Sequence, residues 1–133
     1  MRLKPFTPEL YRRRVFSQLW MLALQFVLGM IMNLMGEQHR GTSHVVYVVV
    51  LVTHILNAIG LAEGGVYIAL KAPGKRNWVA AIVVLTTLTS GILTVRTRND
   101  MWSFVMACGF LASAWLYVMT YIRADRMVRA AQQ

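Results

Sequence analysis

The sequence has little cysteine and few charged residues, and each shortage excludes a class of protein. Its one cysteine, Cys108, excludes an intramolecular disulfide and any metal or iron–sulfur site built from several thiolates. Cys108 lies in an apolar run, which predicts a small buried hydrophobic side chain. Charged residues are only 14% of the 133 residues, against about 25% in soluble domains, whereas 57% are hydrophobic. The composition therefore predicts a protein whose main solvent is lipid.

Acidic residues are also scarce, with five Asp and Glu against 14 Lys and Arg, which gives a formal charge of +9. Nucleic acid is not predicted as a partner, because the basic residues stand in short blocks between apolar runs without interleaved aromatic residues. Glycine-rich phosphate loops, paired carboxylates and metal-binding clusters of His, Cys, Asp and Glu are also missing from the sequence. We therefore predict a non-catalytic protein.

Four apolar runs fill most of the chain, and each is about as long as the 20 residues that a helix needs to cross a bilayer. The predicted helices cover residues 15–35, 45–70, 78–95 and 101–122. The loops between them are short, which forces neighbouring helices to run antiparallel. The predicted fold is an all-α, single-domain, four-transmembrane-helix up-down-up-down bundle over residues 1–133. Before the first run, Thr7-Pro8-Glu9 is typical of a helix start, so a short interfacial helix is expected there.

Lys and Arg are distributed unevenly between the two predicted sides of the membrane. One side carries three of them: Arg40, Arg96 and Arg98. The side with both termini and the second loop carries the other eleven: Arg2, Lys4, Arg12, Arg13, Arg14, Lys71, Lys75, Arg76, Arg123, Arg126 and Arg129. Because basic residues are retained on the cytoplasmic side, both termini are predicted to be cytoplasmic, in a bacterial plasma (inner) membrane.

Polar side chains near the middle of the first two runs predict a site inside the membrane. At 1.5 Å per residue, Gln25 is about 16 Å from Arg14, and His54 is about 14 Å from Val45, so the two are level in antiparallel helices. Asn57 lies nearly one turn beyond His54. Intramembrane polar residues usually face the interior of a bundle or a site. We therefore expect Gln25 and His54 to be hydrogen-bonded, with Asn57 beside them.

This cluster has two interpretations. A neutral imidazole can ligate haem iron or donate a hydrogen bond to a quinone carbonyl, so His54 would hold haem b or a quinone, with Gln25 fixing its orientation. In the haem case His54 is the metal ligand, and Met30, Met32 and Met106 are candidates for a second ligand. The alternative is an interhelical hydrogen bond that only sets the register of two helices, worth about 0.6 kcal/mol on average in a membrane.

Small residues at helical spacing predict where helices approach each other closely. They occur in all four predicted helices: Gly29, Gly60, Gly64, Gly91, Gly109 and Ser113. One alternative function follows from them, in which the Gly60/Gly64 and Gly109/Ser113 faces dock a larger membrane partner.

Glu63 lies towards the end of the second predicted helix and is open to two interpretations. It could carry a proton or a cation in an oligomeric transporter or channel. It could also be an interfacial carboxylate paired with Arg12, Arg14 or Arg123 on the same side. On the opposite side, three residues are interpreted as part of a solvated loop, with weak metal binding as the alternative: Glu37, His39 and His44.

Several of these residues carry a resemblance that covers nearly the whole chain. The sequence resembles small bacterial four-helix membrane proteins of uncharacterised function in Leu24-Gln25-Phe26-x-x-Gly29-x-x-x-Asn33-Leu34, in His54, in Gly91 and in Ser103-Phe104-x-Met106. More faintly, it is similar to one four-helix half of haem A synthase. That family places haem-ligating histidines on two helices of each half, whereas the fourth predicted helix here has none.

The leading prediction is a small, non-catalytic membrane protein that binds haem b or a quinone at Gln25, His54 and Asn57. It would serve a respiratory or cofactor-assembly complex. The first alternative is a structural or assembly subunit without a ligand, and the second is a transporter or channel. Expected partners are the lipid bilayer and either further copies of the chain or a larger membrane complex.

Overall fold

Four α-helices account for nearly all of the protein that the structure describes. The structure is a computed structural model that describes residues 5–35, 42–97 and 99–133, without the side chains of Thr42, Ser43 and Asp100. The helices are α1 (Pro8–Met35), α2 (Thr42–Lys71), α3 (Lys75–Thr97) and α4 (Asp100–Ala130). Each contains a run that is long and apolar enough to cross a membrane. The all-helical prediction with four apolar, membrane-length helices is therefore confirmed.

Every helix is longer than the span predicted for it. The expected interfacial helix and the first span form one helix, because α1 begins at Pro8 and continues to Met35. Thr7 accepts a hydrogen bond from the backbone N–H of Leu10 (3.3 Å), which caps the start of α1 as predicted. At the other end of the chain, α4 continues eight residues past Ile122, to Ala130. Asn99 caps its start, since its side chain accepts a hydrogen bond from the N–H of Met101 (2.9 Å).

The helices form a ring in which each packs against its neighbours in the chain and α4 closes on α1. Contacts between α1 and α2 pair Gln25 with His54 and Gln18 with Gly64, so residue numbers rise in one helix as they fall in the other. Residue numbers run in opposite directions in α1 and α4 as well. Arg12 bonds to Asp125, and the ring of Phe26 stacks on that of Phe110 with 5.6 Å between the ring centroids. In both of these pairs the helices therefore run antiparallel.

The interior contains aliphatic, small and aromatic residues, and most of them lie toward the end where α1 and α3 begin. Its hydrophobic members at 2% exposure or less are Val15, Ile68, Ala69, Ala80, Ala81, Tyr117 and Ala124. The outer surface carries large apolar side chains instead, among them Leu34, Val95, Phe104 and Leu111, each at least 66% exposed. A surface so apolar fits contact with acyl chains. Cys108 belongs to this surface, so its predicted burial is wrong.

The small residues predicted to pack helices all lie against another helix of the same chain. Gly60 faces the side chain of Met21, Gly64 that of Gln18 and Gly109 that of Thr87. Gly29 likewise faces His54 and Gly91 faces Met106. Ser113 is buried, at 1% exposure. The Gly60/Gly64 and Gly109/Ser113 faces therefore pack helices of this chain, and docking of a larger partner stays a prediction.

Candidate functional site

The three polar residues predicted to form a site lie together between α1 and α2. The Nε2 atoms of Gln25 and His54 are 3.0 Å apart. Asn57, which is 9% exposed, donates to Oε1 of Gln25 (2.7 Å) and to the backbone carbonyl of Met21 (2.8 Å). Gln25 is ten residues from the end of α1 and His54 twelve from the start of α2, about 15 and 18 Å along the helices. The cluster therefore lies deep within both apolar helices.

The contacts of Asn57 fix the direction of every hydrogen bond in the cluster. A backbone carbonyl can only accept, so the Asn57 atom that faces Met21 must be the amide nitrogen. The same nitrogen lies against Gln25, which must therefore present its amide oxygen to Asn57 and its amide nitrogen to His54. Since that nitrogen carries only donors, Nε2 of His54 is the acceptor.

It follows that neutral His54 carries its proton on Nδ1. Nδ1 is buried and has no hydrogen-bond partner among the residues that the structure describes. A buried N–H without an acceptor lowers the stability of the fold by about 1–3 kcal/mol. Such groups are therefore rare, and they usually have a functional role or a further binding partner. The ring lies beside Gly29, where an added Cβ would be 3.6 Å from Cε1 of His54. His54 can thus form one further hydrogen bond, and it can form it only as the donor, from Nδ1.

The tautomer of His54 is directly testable. We expect nitrogen-15 NMR of the protein in micelles, at a pH where His54 is neutral, to show a protonated Nδ1 and an unprotonated Nε2. In Gln25→Leu, which removes the donor to Nε2, the spectrum should shift toward the Nε2-protonated form that free imidazole side chains favour. A wild-type spectrum with the proton on Nε2 would contradict the hydrogen-bond directions derived above.

The same arrangement fits haem iron poorly. Iron needs a ring nitrogen with a free lone pair, but the lone pair of His54 Nε2 receives the Gln25 amide, and Nδ1 carries the proton. Of the methionines considered as second ligands, Met106 lies against Gly91 and Met30 is 43% exposed, and ligation by Met30, Met32 or Met106 stays a prediction. A metal ion held by protein ligands alone is a separate case, and the described residues contain no group of three His, Cys, Asp or Glu that could hold one.

Glu63 lies apart from this cluster. Its side chain is exposed and lines a cleft of about 390 Å³ between α1 and α2, together with Arg14 and Gln18. It makes no ion pair within the described residues, and Arg12 pairs with Asp125 instead (2.9 Å). The predicted pairing of Glu63 with a basic residue is therefore wrong.

Gln18, which is buried, and Asp125, which is partly exposed, were not singled out by the sequence analysis. Gln18 is 4% exposed, and its Oε1 is buried without a hydrogen-bond partner in the described part of the chain. Its spacing of seven residues from Gln25 places both on one face of α1, which could have revealed it. Asp125 bonds to Arg12 and also to Arg129, four residues later (both 2.9 Å), and that spacing was the available signal.

Of the three residues predicted to lie in the outer loop, the structure describes only His44. His44 is exposed at the start of α2, whereas Glu37 and His39 lie outside the described residues.

Neither family models, nor curated proteins, nor solved structures match this chain. The resemblances to small four-helix membrane proteins and to haem A synthase therefore stay predictions. What the site can do is argued below from its hydrogen bonds and its depth in the bundle.

Proposed function

We propose that this protein is a non-catalytic, multi-pass membrane protein that binds a quinone at Gln25, His54 and Asn57. It would act as an accessory to a respiratory or cofactor-assembly complex in the bacterial inner membrane. The observation that carries the proposal is the buried Nδ1 of His54, a hydrogen-bond donor without an acceptor in the described residues. A quinone supplies what is missing, because its carbonyl oxygens only accept hydrogen bonds and its ring dissolves in the bilayer.

The proposed membrane orientation has the chain crossing four times, up-down-up-down, with both termini cytoplasmic. The positions of the basic residues support this orientation. Arg12, Lys71, Lys75 and Arg129 all lie at one end of the bundle, where α1 and α3 begin and α2 and α4 end. Such a concentration of basic residues is typical of the cytoplasmic face.

The proposed binding mode requires the His54 ring to turn slightly, because Nδ1 is buried and must reach a carbonyl. The ring lies beside Gly29, which has no side chain to oppose such a rotation. The bonds from Asn57 to Gln25 and Met21 do not depend on the ring and would hold Gln25 in place during it.

The decisive experiment is quinone binding to the purified protein in lipid nanodiscs, with a carbon-13-labelled carbonyl read by infrared spectroscopy. We expect the carbonyl stretch to shift to lower frequency on binding to the wild type, as hydrogen bonding requires. In His54→Phe the shift should vanish and the affinity should fall about tenfold, the worth of one buried hydrogen bond. His44→Phe is the matched control, because His44 is exposed at the start of α2 and should bind normally. Equal affinity in wild type and His54→Phe would refute the proposal.

A second candidate is a purely structural role, which one observation favours. Both hydrogen bonds from Asn57 end within the protein, so the cluster already joins α1 to α2 without any ligand. Under this role quinone would not bind at all, and His54→Phe would change only the free energy of unfolding. A change of about 0.6 kcal/mol, typical of interhelical hydrogen bonds in membranes, is expected in that case.

A further inference from the structure

A cleft of about 570 Å³ opens at the end of the bundle where α1 and α3 begin. Three separate parts of the chain form its walls: the segment before α1, the turn between α2 and α3, and the last third of α4. A buried hydrogen bond from the Tyr11 hydroxyl to Oδ1 of Asn77 (3.0 Å) ties α1 to α3 at its base. Phe6 packs on Tyr11 and on Tyr67, which holds the segment before α1 against the bundle. The cleft is therefore part of the fold.

Its charge is entirely positive. Four basic side chains line it: Lys71, Lys75, Arg76 and Arg123. No carboxylate is among the lining residues, and none of the four makes an ion pair within the part of the chain that the structure describes. The nearby carboxylate of Asp125 is used by Arg12 and Arg129 instead. Four cations that converge without a counter-charge attract an anion.

The first turn of α3 adds to this field. Gly74, which precedes α3, has no side chain to cap the helix, and the Asn77 side chain is engaged by the Tyr11 hydroxyl and the carbonyl of Ala72 (2.7 Å). The N–H groups at the start of a helix carry partial positive charge and favour phosphate. They lie beside Lys75 and Arg76, so the backbone strengthens the attraction that the side chains supply.

Apolar and aromatic residues around the cleft indicate which anion fits. Phe6, Tyr11 and Met127 line it together with the cations, so an occupant with both apolar and charged parts is favoured. Tyr67 and Trp78, near the same end, are 40% and 42% exposed, as aromatic residues at a membrane interface are. We propose that this cleft binds the phosphate headgroup of an anionic phospholipid. The inference is independent of the quinone site, which lies deeper between α1 and α2.

The test uses the full chain in neutral detergent micelles into which phosphatidylglycerol is titrated. Thermal unfolding reports the apparent affinity, and native mass spectrometry counts the lipids that stay bound. For the double variant Lys75→Gln, Arg76→Gln we expect an affinity loss of about thirtyfold, since each basic residue near an anionic lipid is worth about fivefold to sixfold. Both residues are exposed, so folding is not at risk.

The matched control is Arg13→Gln, Arg126→Gln, which removes the same charge from the same end. Both arginines are exposed and neither lines the cleft nor makes an ion pair in the described structure. We expect this variant to bind phosphatidylglycerol like the wild type. Equal losses in the two variants would mean general surface attraction, and no stabilisation by phosphatidylglycerol over phosphatidylcholine would mean no site. Stabilisation by inorganic phosphate to the same degree would mean a free anion site. Each of these results would overturn the proposal.

Discussion

Replacing Tyr117 with alanine should lower the free energy of unfolding by about 3 kcal/mol, one of the two largest effects expected here. Tyr117 is 2% exposed and is the largest side chain that is fully buried. It fills the space between α2 and α4, where a Cβ on Gly65 would lie 2.8 Å from its hydroxyl. Removing the ring leaves a cavity that the backbones of α2, α3 and α4 cannot close without moving. Unfolding by SDS titration in mixed micelles measures the change.

The size of this effect depends on the solvent. Aromatic-to-alanine changes in soluble cores cost about 3–5 kcal/mol, part of which is the transfer of the ring out of water. In a bilayer the exposed ring would contact lipid, so the lost packing contacts remain as the main cost and the lower end of that range applies. Trp115→Ala is the control on the same helix, because Trp115 is 64% exposed. A loss as large at Trp115 as at Tyr117 would contradict the packing described for α4.

The predicted level of Gln25 with His54 is confirmed, because it depends on little besides helix geometry. Rise per residue is the same in every α-helix, so counting from the basic residue Arg14 and from Val45 was enough to bring Gln25 level with His54. The direction of the hydrogen bonds could not be predicted in this way. The direction follows from the contact of Asn57 with the carbonyl of Met21. Every residue has a backbone carbonyl, so residue types cannot predict such a contact.

Which face of each helix points inward was the least predictable feature. In a soluble protein the polar stripe marks the outside, but here both the interior and the lipid-facing surface are apolar. Cys108 was expected to be buried and is exposed, whereas Gln18 went unnoticed and is buried. The predicted spans are shorter than the helices because they include only the apolar runs. The ion pair between Arg12 and Asp125 joins helical turns of α1 and α4 that extend beyond those runs.

Gly64→Leu should weaken quinone binding at least tenfold without touching the site, and it should lower the free energy of unfolding by about 1–3 kcal/mol. A Cβ at Gly64 would lie 3.0 Å from Cδ of Gln18, and the branched end of leucine extends further into the contact between α1 and α2. Gln18 can turn toward the cleft that it lines with Glu63, but we expect leucine to need more space than this movement frees and to push α1 away from α2. Gln25 is two turns along α1 from Gln18, and its 3.0 Å contact with His54 does not survive a separation of about 1 Å, because hydrogen bonds weaken steeply beyond about 3.5 Å.

Gly109→Leu separates this effect from a general loss of stability. At Gly109 a Cβ would lie 3.2 Å from Cβ of Thr87, so leucine overpacks the contact between α3 and α4 to a similar extent. That contact does not include α1 or α2, so the variant should lose stability while its quinone affinity and carbonyl stretch stay at wild-type values. If both leucine variants lost the ligand equally, affinity would follow overall stability, and the close approach of α1 to α2 at Gly64 would have no specific part in building the site. If neither lost it, the ligand would have to bind elsewhere, since the hydrogen bonds of Gln25, His54 and Asn57 exist only while those two helices stay in contact.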